Sequence, residues 1–131
     1  MIAEIPVQER RIPGRFSIVA PVSYDLEDYR PENKATCCDL GLRGARLFVP
    51  EGLSVNTQMY LVFHLPESIH KFRAKANIVW QKEAEKRENR KENFLIGVNF
   101  FVVSETDKTI LSSYVYHHYR EELMRFWWRG L

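Results

Sequence analysis

Apolar and polar residues alternate along six separate stretches of this chain, and the alternation stops at Ser104. A repeat of two is the mark of a strand with one buried face. Phe16, Ile18, Ala20, Val22 and Tyr24 share one side of the first stretch, and Lys34 to Asp39 reads as the second. Ala45, Leu47 and Val49 form the inward side of the third, opposite Arg46 and Phe48. Met59, Leu61 and Phe63 follow, then Phe72, Ala74, Ala76, Ile78 and Trp80, with Arg73, Lys75 and Asn77 facing out. Phe94, Ile96, Val98, Phe100 and Val102 form the last inward side, with Gly97 as a bulge or close-packing point. Turn residues separate the stretches, at Pro31, Pro50-Glu51-Gly52 and Pro66. Residues 82–92 are almost wholly charged, of mixed sign, and read as a solvated connection.

After Ser104 the period becomes helical. Ile110, Leu111, Tyr114, Val115, His118, Leu123, Phe126 and Trp127 fall on one face. Ser104 is a natural N-cap, with Glu105 and Asp107 in the first turn. Six short strands followed by one helix predict an all-β fold: a six-stranded antiparallel β-barrel with a C-terminal α-helix at about 105–128 against its side or mouth. Residues 1–14, with two prolines and a glycine, read as a flexible N-terminal arm, and 15–131 as barrel and helix.

At 131 residues the chain is one domain, large enough to bury a core. Its 19 basic and 17 acidic side chains leave a formal charge of +2, too even for a general nucleic-acid coat. An anion must then be met by local clusters of cations. No apolar run is long enough to span a membrane, and the N-terminus lacks the pattern of a secretory signal, so a cytoplasmic location is expected. Cys37 and Cys38 are neighbours on a strand and point to opposite faces, which predicts one buried and one outward thiol, both reduced. His117 and His118 have no carboxylate or thiol at ligand spacing, and no catalytic motif frames any Ser, His or Asp. Neither metal binding nor catalysis is expected. Trp127 and Trp128 are adjacent and cannot share one helical face. At least one is expected outside the barrel contact, on a partner or homodimer surface of the C-terminal helix.

Two clusters carry chemistry. Arg10-Arg11-Ile12-Pro13-Gly14-Arg15 contains RxxxR, and Asp39-Leu40-Gly41-Leu42-Arg43-Gly44 reads DxGxxG. An arginine fork pairs bidentately with phosphate or with the O6/N7 edge of guanine, and its flat face stacks on a base. An aspartate accepts from guanine N1–H and the exocyclic amine. Glycine lets a ligand approach the backbone where a side chain would clash.

Taken in order, these clusters resemble the two signature motifs of PilZ domains, bacterial receptors for the second messenger cyclic di-GMP. Arg11 and Arg15 match the arginines of RxxxR, and Arg10 matches the extra basic residue that many members carry before it. Asp39 and Gly44 match the first and last positions of (Asp/Asn)-x-(Ser/Ala)-x-x-Gly. The resemblance covers residues 9–128 in order of elements, although only the motifs are specific. It implies a cyclic di-GMP receptor or adaptor that changes conformation on binding and signals through contacts with an effector protein. The implied ligand set is Arg10, Arg11, Arg15, Asp39, Gly41 and Gly44, with Arg43 between the two glycines. Gly41 departs from the family, which usually has serine there; the lost hydroxyl bond is worth on the order of 0.5–1.5 kcal/mol. Members with more degraded motifs bind no nucleotide and act through protein contacts, and that is one alternative for this chain. A small-barrel binder of single-stranded nucleic acid is a second, opposed by polar outward strand faces and the near-neutral charge.

Overall fold

The computed structural model describes residues 16–26, 33–85 and 93–129, with side chains of the C-terminal helix described as far as His118 and at Arg120. The expected arm at 1–14 lies outside the described residues. Six strands form in chain order: β1 (Ala20–Asp25), β2 (Asn33–Leu40), β3 (Gly44–Val49), β4 (Gln58–His64), β5 (Lys71–Glu83) and β6 (Phe94–Val102). One helix follows, α1 (Glu105–Arg129). The strands close into a barrel in the order β1-β2-β3-β6-β5-β4, and every neighbouring pair is antiparallel. The closing seam is β1 on β4, where Val22 faces Phe63 and Tyr24 faces Leu61.

Period-two patterning puts one face of each strand inside. Ala20, Val22 and Tyr24 of β1, Leu47 and Val49 of β3, and Leu61 and Phe63 of β4 are all buried. Each large aliphatic or aromatic side chain removed from water this way contributes roughly 1.5–3 kcal/mol. Phe63, Phe72 and Phe100 form a ring cluster with centroids 5.6–5.9 Å apart. Tyr24 is buried, and its hydroxyl donates to Glu51 Oε1 at 3.1 Å. Burial, followed by that bond to a carboxylate, raises the phenol above its ordinary value.

The helix is fastened by its first turn. Ser104 Oγ accepts from the Asp107 amide at 3.0 Å, an N-cap worth about 1 kcal/mol. Asp107 in turn accepts from the Ser104 hydroxyl at 2.6 Å and from the backbone amide of Arg73 on β5 at 3.0 Å. One carboxylate therefore joins the helix start to the barrel wall. Leu111 is buried in the common core, and Ile110, Tyr114 and Val115 pack against it. His118, expected on this inward face, is instead exposed and lies against Tyr114, with ring centroids 4.0 Å apart. The partner surface expected at Trp127 and Trp128 falls on side chains outside the described set.

Two expected core residues are outside the barrel. Trp80 is 37% exposed and Val102 is 49% exposed. Both follow a β-bulge. Between β5 and β6, Ile78 pairs with Val98 but Trp80 pairs with Gly97, so Val79 is an extra residue. Lys75 pairs with Val102 but Ala76 with Phe100, so Phe101 is another. An extra residue inverts the parity of everything beyond it. The charged stretch also begins later than expected, because β5 runs on to Glu83. The thiols divide as expected: Cys37 is buried and Cys38 half-buried, with no disulfide between them.

Gly97 is the close-packing point. A Cβ built there would overlap Nε1 and Cε2 of the Trp80 ring and lie 2.8 Å from Cζ2. Gly97→Ala is expected to unseat Trp80 and lower the unfolding free energy by roughly 1–3 kcal/mol, read from chemical denaturation. A denaturation midpoint equal to the parent's would refute this packing.

Candidate functional site

A third bulge builds the site. Along the β2–β3 ladder Cys37 pairs with Leu47 and Asp39 with Arg46, leaving Cys38 as the extra residue. The irregularity lets two successive residues, Asp39 and Leu40, both be buried. Asp39 is only 3% exposed, and the Nε–H of Arg46 donates to its Oδ2 across the ladder. A carboxylate withdrawn from water costs several kcal/mol unless a cation and hydrogen bonds meet it. Arg46 meets it from the solvent side, with nearly half of its own side chain exposed. The hydrogen bond to Asp39 holds the guanidinium above its ordinary value. Cys37 Sγ donates to the Asp39 carbonyl at 3.1 Å, and burial pushes the Cys37 thiol up, so it is held as an unreactive thiol.

Next to Asp39 the chain turns tightly. The Gly41 amide donates to the Gly44 carbonyl at 2.9 Å, with Leu42 and Arg43 exposed at the tip. Phe100 N–H donates to the Arg43 carbonyl at 2.8 Å, which fixes the tip against β6. Gly41 is buried, and neither it nor Gly44 has a positive φ, so the turn itself does not demand glycine. Gly44 is required for another reason: a Cβ there would overlap the Val98 carbonyl oxygen and lie 3.3 Å from its carbon. The last glycine of the motif is thus imposed by strand packing.

Outside the barrel, cross-strand register aligns Gly44 with Asn99 and Asn77, and Arg46 with Gly97 and Trp80. These rows make a low strip across β3, β6 and β5. Its floor holds two glycines, its sides are Arg46 and Trp80, and two amide side chains stand on it. Across two strand spacings Arg46 and Trp80 are roughly 10 Å apart. The strip offers a cation, an indole face and amide donors and acceptors beside a buried carboxylate.

Of the residues expected in the site, Asp39, Gly41, Arg43 and Gly44 come together at this end of the barrel. Arg10, Arg11 and Arg15 lie outside the described residues. Arg15 is bonded to Phe16, whose backbone exchanges two 2.9 Å hydrogen bonds with Leu40, the residue between Asp39 and Gly41. The two motifs therefore meet at one bridge. Sequence reasoning missed Arg46 and Trp80 as site residues. Arg46 was legible as outward-facing, but its partner depends on the bulge at Cys38. Among the described residues no cluster of His, Cys, Asp and Glu could hold a metal, and no helix is long and apolar enough to cross a membrane.

Comparison with known proteins agrees with this geometry. The sequence profile of the PilZ domain matches residues 8–117. The chain belongs to the PilZ domain family, whose members are receptor and adaptor modules for cyclic di-GMP. No curated protein matches it. The inhibitor of motility MotI/DgrA of Bacillus subtilis is a solved structure with the same fold: TM-score 0.64 at 19% identity, covering 91% of this chain and 56% of that one. A tetrameric PilZ protein from Xanthomonas campestris aligns with TM-score 0.47 at 15% identity, over 70% of this chain and 47% of its own. The chain thus spans about half the length of the solved structures it matches.

Removing Arg46 leaves Asp39 buried without that cation. Arg46→Ala is expected to lower stability by roughly 1–2 kcal/mol, moderated by its solvent exposure. Gly44→Ala is expected to cost at least as much, because the obstacle is backbone. Both are measured by urea denaturation, and parent-like curves for either would overturn the corresponding contact.

Proposed function

We propose that this chain is a cyclic di-GMP receptor, and that it binds the nucleotide on the strip between Arg46 and Trp80 with Arg10, Arg11 and Arg15 closing over it. The observation that carries the reading is the meeting of the two motifs at the Phe16–Leu40 bridge, beside the buried Asp39–Arg46 pair. Each ligand group has a counterpart. The arginines of the first motif take the two phosphates and stack on guanines, as charge-assisted bonds of roughly 1.5–3 kcal/mol each. Asp39 accepts from a guanine Watson–Crick edge, in exchange for part of its bond to Arg46. Arg46, released, gains a phosphate or the guanine O6/N7 edge. Trp80 offers a stacking face worth about 1–3 kcal/mol per base. Flat glycine backbone at Gly44 keeps this ground low, and Gly97 lets the Trp80 ring lie close against the strand.

The output of such a receptor is a protein contact. Two phosphates relieve the mutual repulsion of three arginines, so ligand binding favours closure of the N-terminal segment over the barrel. That closure creates a surface of segment, ligand and wall for an effector to recognise. Arg10, just ahead of RxxxR, is the residue that would support a second stacked nucleotide. Trp127 and Trp128, near the end of α1, are the proposed homodimer surface.

Isothermal titration calorimetry with cyclic di-GMP tests the reading. Arg11→Ala or Arg15→Ala is expected to abolish measurable binding with the fold intact, and Trp80→Ala to weaken it about tenfold. A parent-like titration by either arginine variant would remove the first motif from the site. Gly41→Ser is expected to tighten binding about two- to tenfold by restoring one hydrogen bond. Cyclic di-AMP is expected to compete poorly, since adenine lacks the N1 donor that Asp39 reads. Equal displacement by both nucleotides would end that role for Asp39.

A further inference from the structure

The opposite wall of the barrel has its own character. On the outer faces of β2, β1, β4 and β5, register places Lys34 beside Ser23, Ser23 beside Val62, Val62 beside Arg73, and His64 beside Lys71. Lys34, Lys71 and Arg73 are exposed, and among the described residues their side chains make no ion pair. The carboxylate on the same face, Asp25, is at the far end, in the row of Tyr60 and Lys75. Asp107, the nearest helix carboxylate, is occupied by the Arg73 backbone amide and Ser104. A cleft of about 350 Å³ opens beside Lys34, walled by Val19, Pro21, Ser23, Lys34, Thr36 and His64. Val19 is 74% exposed at its lip, and Ser23 Oγ lies 3.3 Å from His64 Nε2 inside. Burial, then Lys71, then Lys34 hold the imidazole below its ordinary value, which places both ammonium groups close enough to act on it.

We propose that this wall is a docking surface for an acidic segment of a protein partner, with carboxylates on Lys34, Lys71 and Arg73 and an apolar side chain of the segment in the Val19–Pro21 cleft. Charge complementarity selects an anionic occupant, because these three cations stand along one wall with no carboxylate partner among the described residues. The cleft selects one with an apolar anchor: its lip is valine and proline, and such pockets flanked by charges are where interface energy concentrates. Nucleic acid is disfavoured by the aromatics. The exposed rings of Trp80, Phe101 and Tyr116 lie elsewhere, and the described rings on this face, Tyr60 and His64, are half-buried, which gives bases a poor stacking platform. The surface is separate from the strip between Arg46 and Trp80, and the inference does not depend on nucleotide binding there.

The probe is a fluorescent peptide of repeated Asp-Glu-Val units, titrated against the full chain at low salt, with amide shifts mapped by nuclear magnetic resonance. Shifts are expected at Ser23, Lys34, Thr36, His64 and Lys71. The double variant Lys34→Glu, Lys71→Glu is expected to weaken binding by about tenfold or more with an unchanged melting temperature. A repeated Asp-Glu-Ser peptide, lacking the anchor, is expected to bind several-fold more weakly. No binding, shifts elsewhere, or equal binding by the charge-reversed chain would overturn the proposal. So would the same shifts from oligothymidylate or from inorganic phosphate at equal or lower concentration, which would assign the wall to nucleic acid or to a small anion.

Discussion

Closure of β1 onto β4 is the constraint from which the rest follows. Six short strands with one apolar face each have no stable edge in water, and pairing Val22 with Phe63 and Tyr24 with Leu61 removes the last one. A closed barrel of this size must also bend and shear its strands, and bulges are how strands do so. The three extra residues, Cys38, Val79 and Phe101, are therefore part of the closure. Two of them also shape the candidate site. The first brings Asp39 under Arg46, the second turns Trp80 outward over Gly97, and the third precedes the outward turn of Val102. Barrel mechanics and the candidate site share the same irregularities.

That sharing explains what was legible in the sequence. The strands and the helix were readable because burial enforces a period, and Phe16 to Tyr24 or Met59 to Phe63 state it without interruption. The motif residues were readable because few chemistries demand arginine, aspartate and glycine at that spacing. Trp80 and Val102 were misplaced because the alternation from Phe72 or Phe94 runs on smoothly in the sequence past a bulge. A bulge of ordinary residues such as Val79 or Phe101 carries no local signature. Gly97 marked the place, but not what would lie on it. The Asp39–Arg46 pair was hidden for the same reason, since a partner seven residues away depends on a register that the extra Cys38 sets.

The finished barrel has two unlike sides. One holds a buried carboxylate answered by a half-exposed arginine, flat glycine backbone and an indole. The other collects lysines and an arginine on the wall that carries an apolar cleft, with its histidine held below its ordinary value by burial and by its cationic neighbours. A chain with a near-zero charge balance thus still presents concentrated positive charge in a defined place. Strands β2 and β5 contribute to both sides, so different stretches of the same strand serve different surfaces.

Gly44 changes how the second motif should be used as a diagnostic across related chains. Its hydrogen is the only substituent that the Val98 carbonyl tolerates, with or without a nucleotide. Lineages that abandon the ligand remain under selection to keep this glycine, while an arginine of the first motif is free to drift. The motif's positions therefore age at different rates once binding is lost. Intact glycines record ancestry and a sound barrel; the arginines and the aspartate record present use.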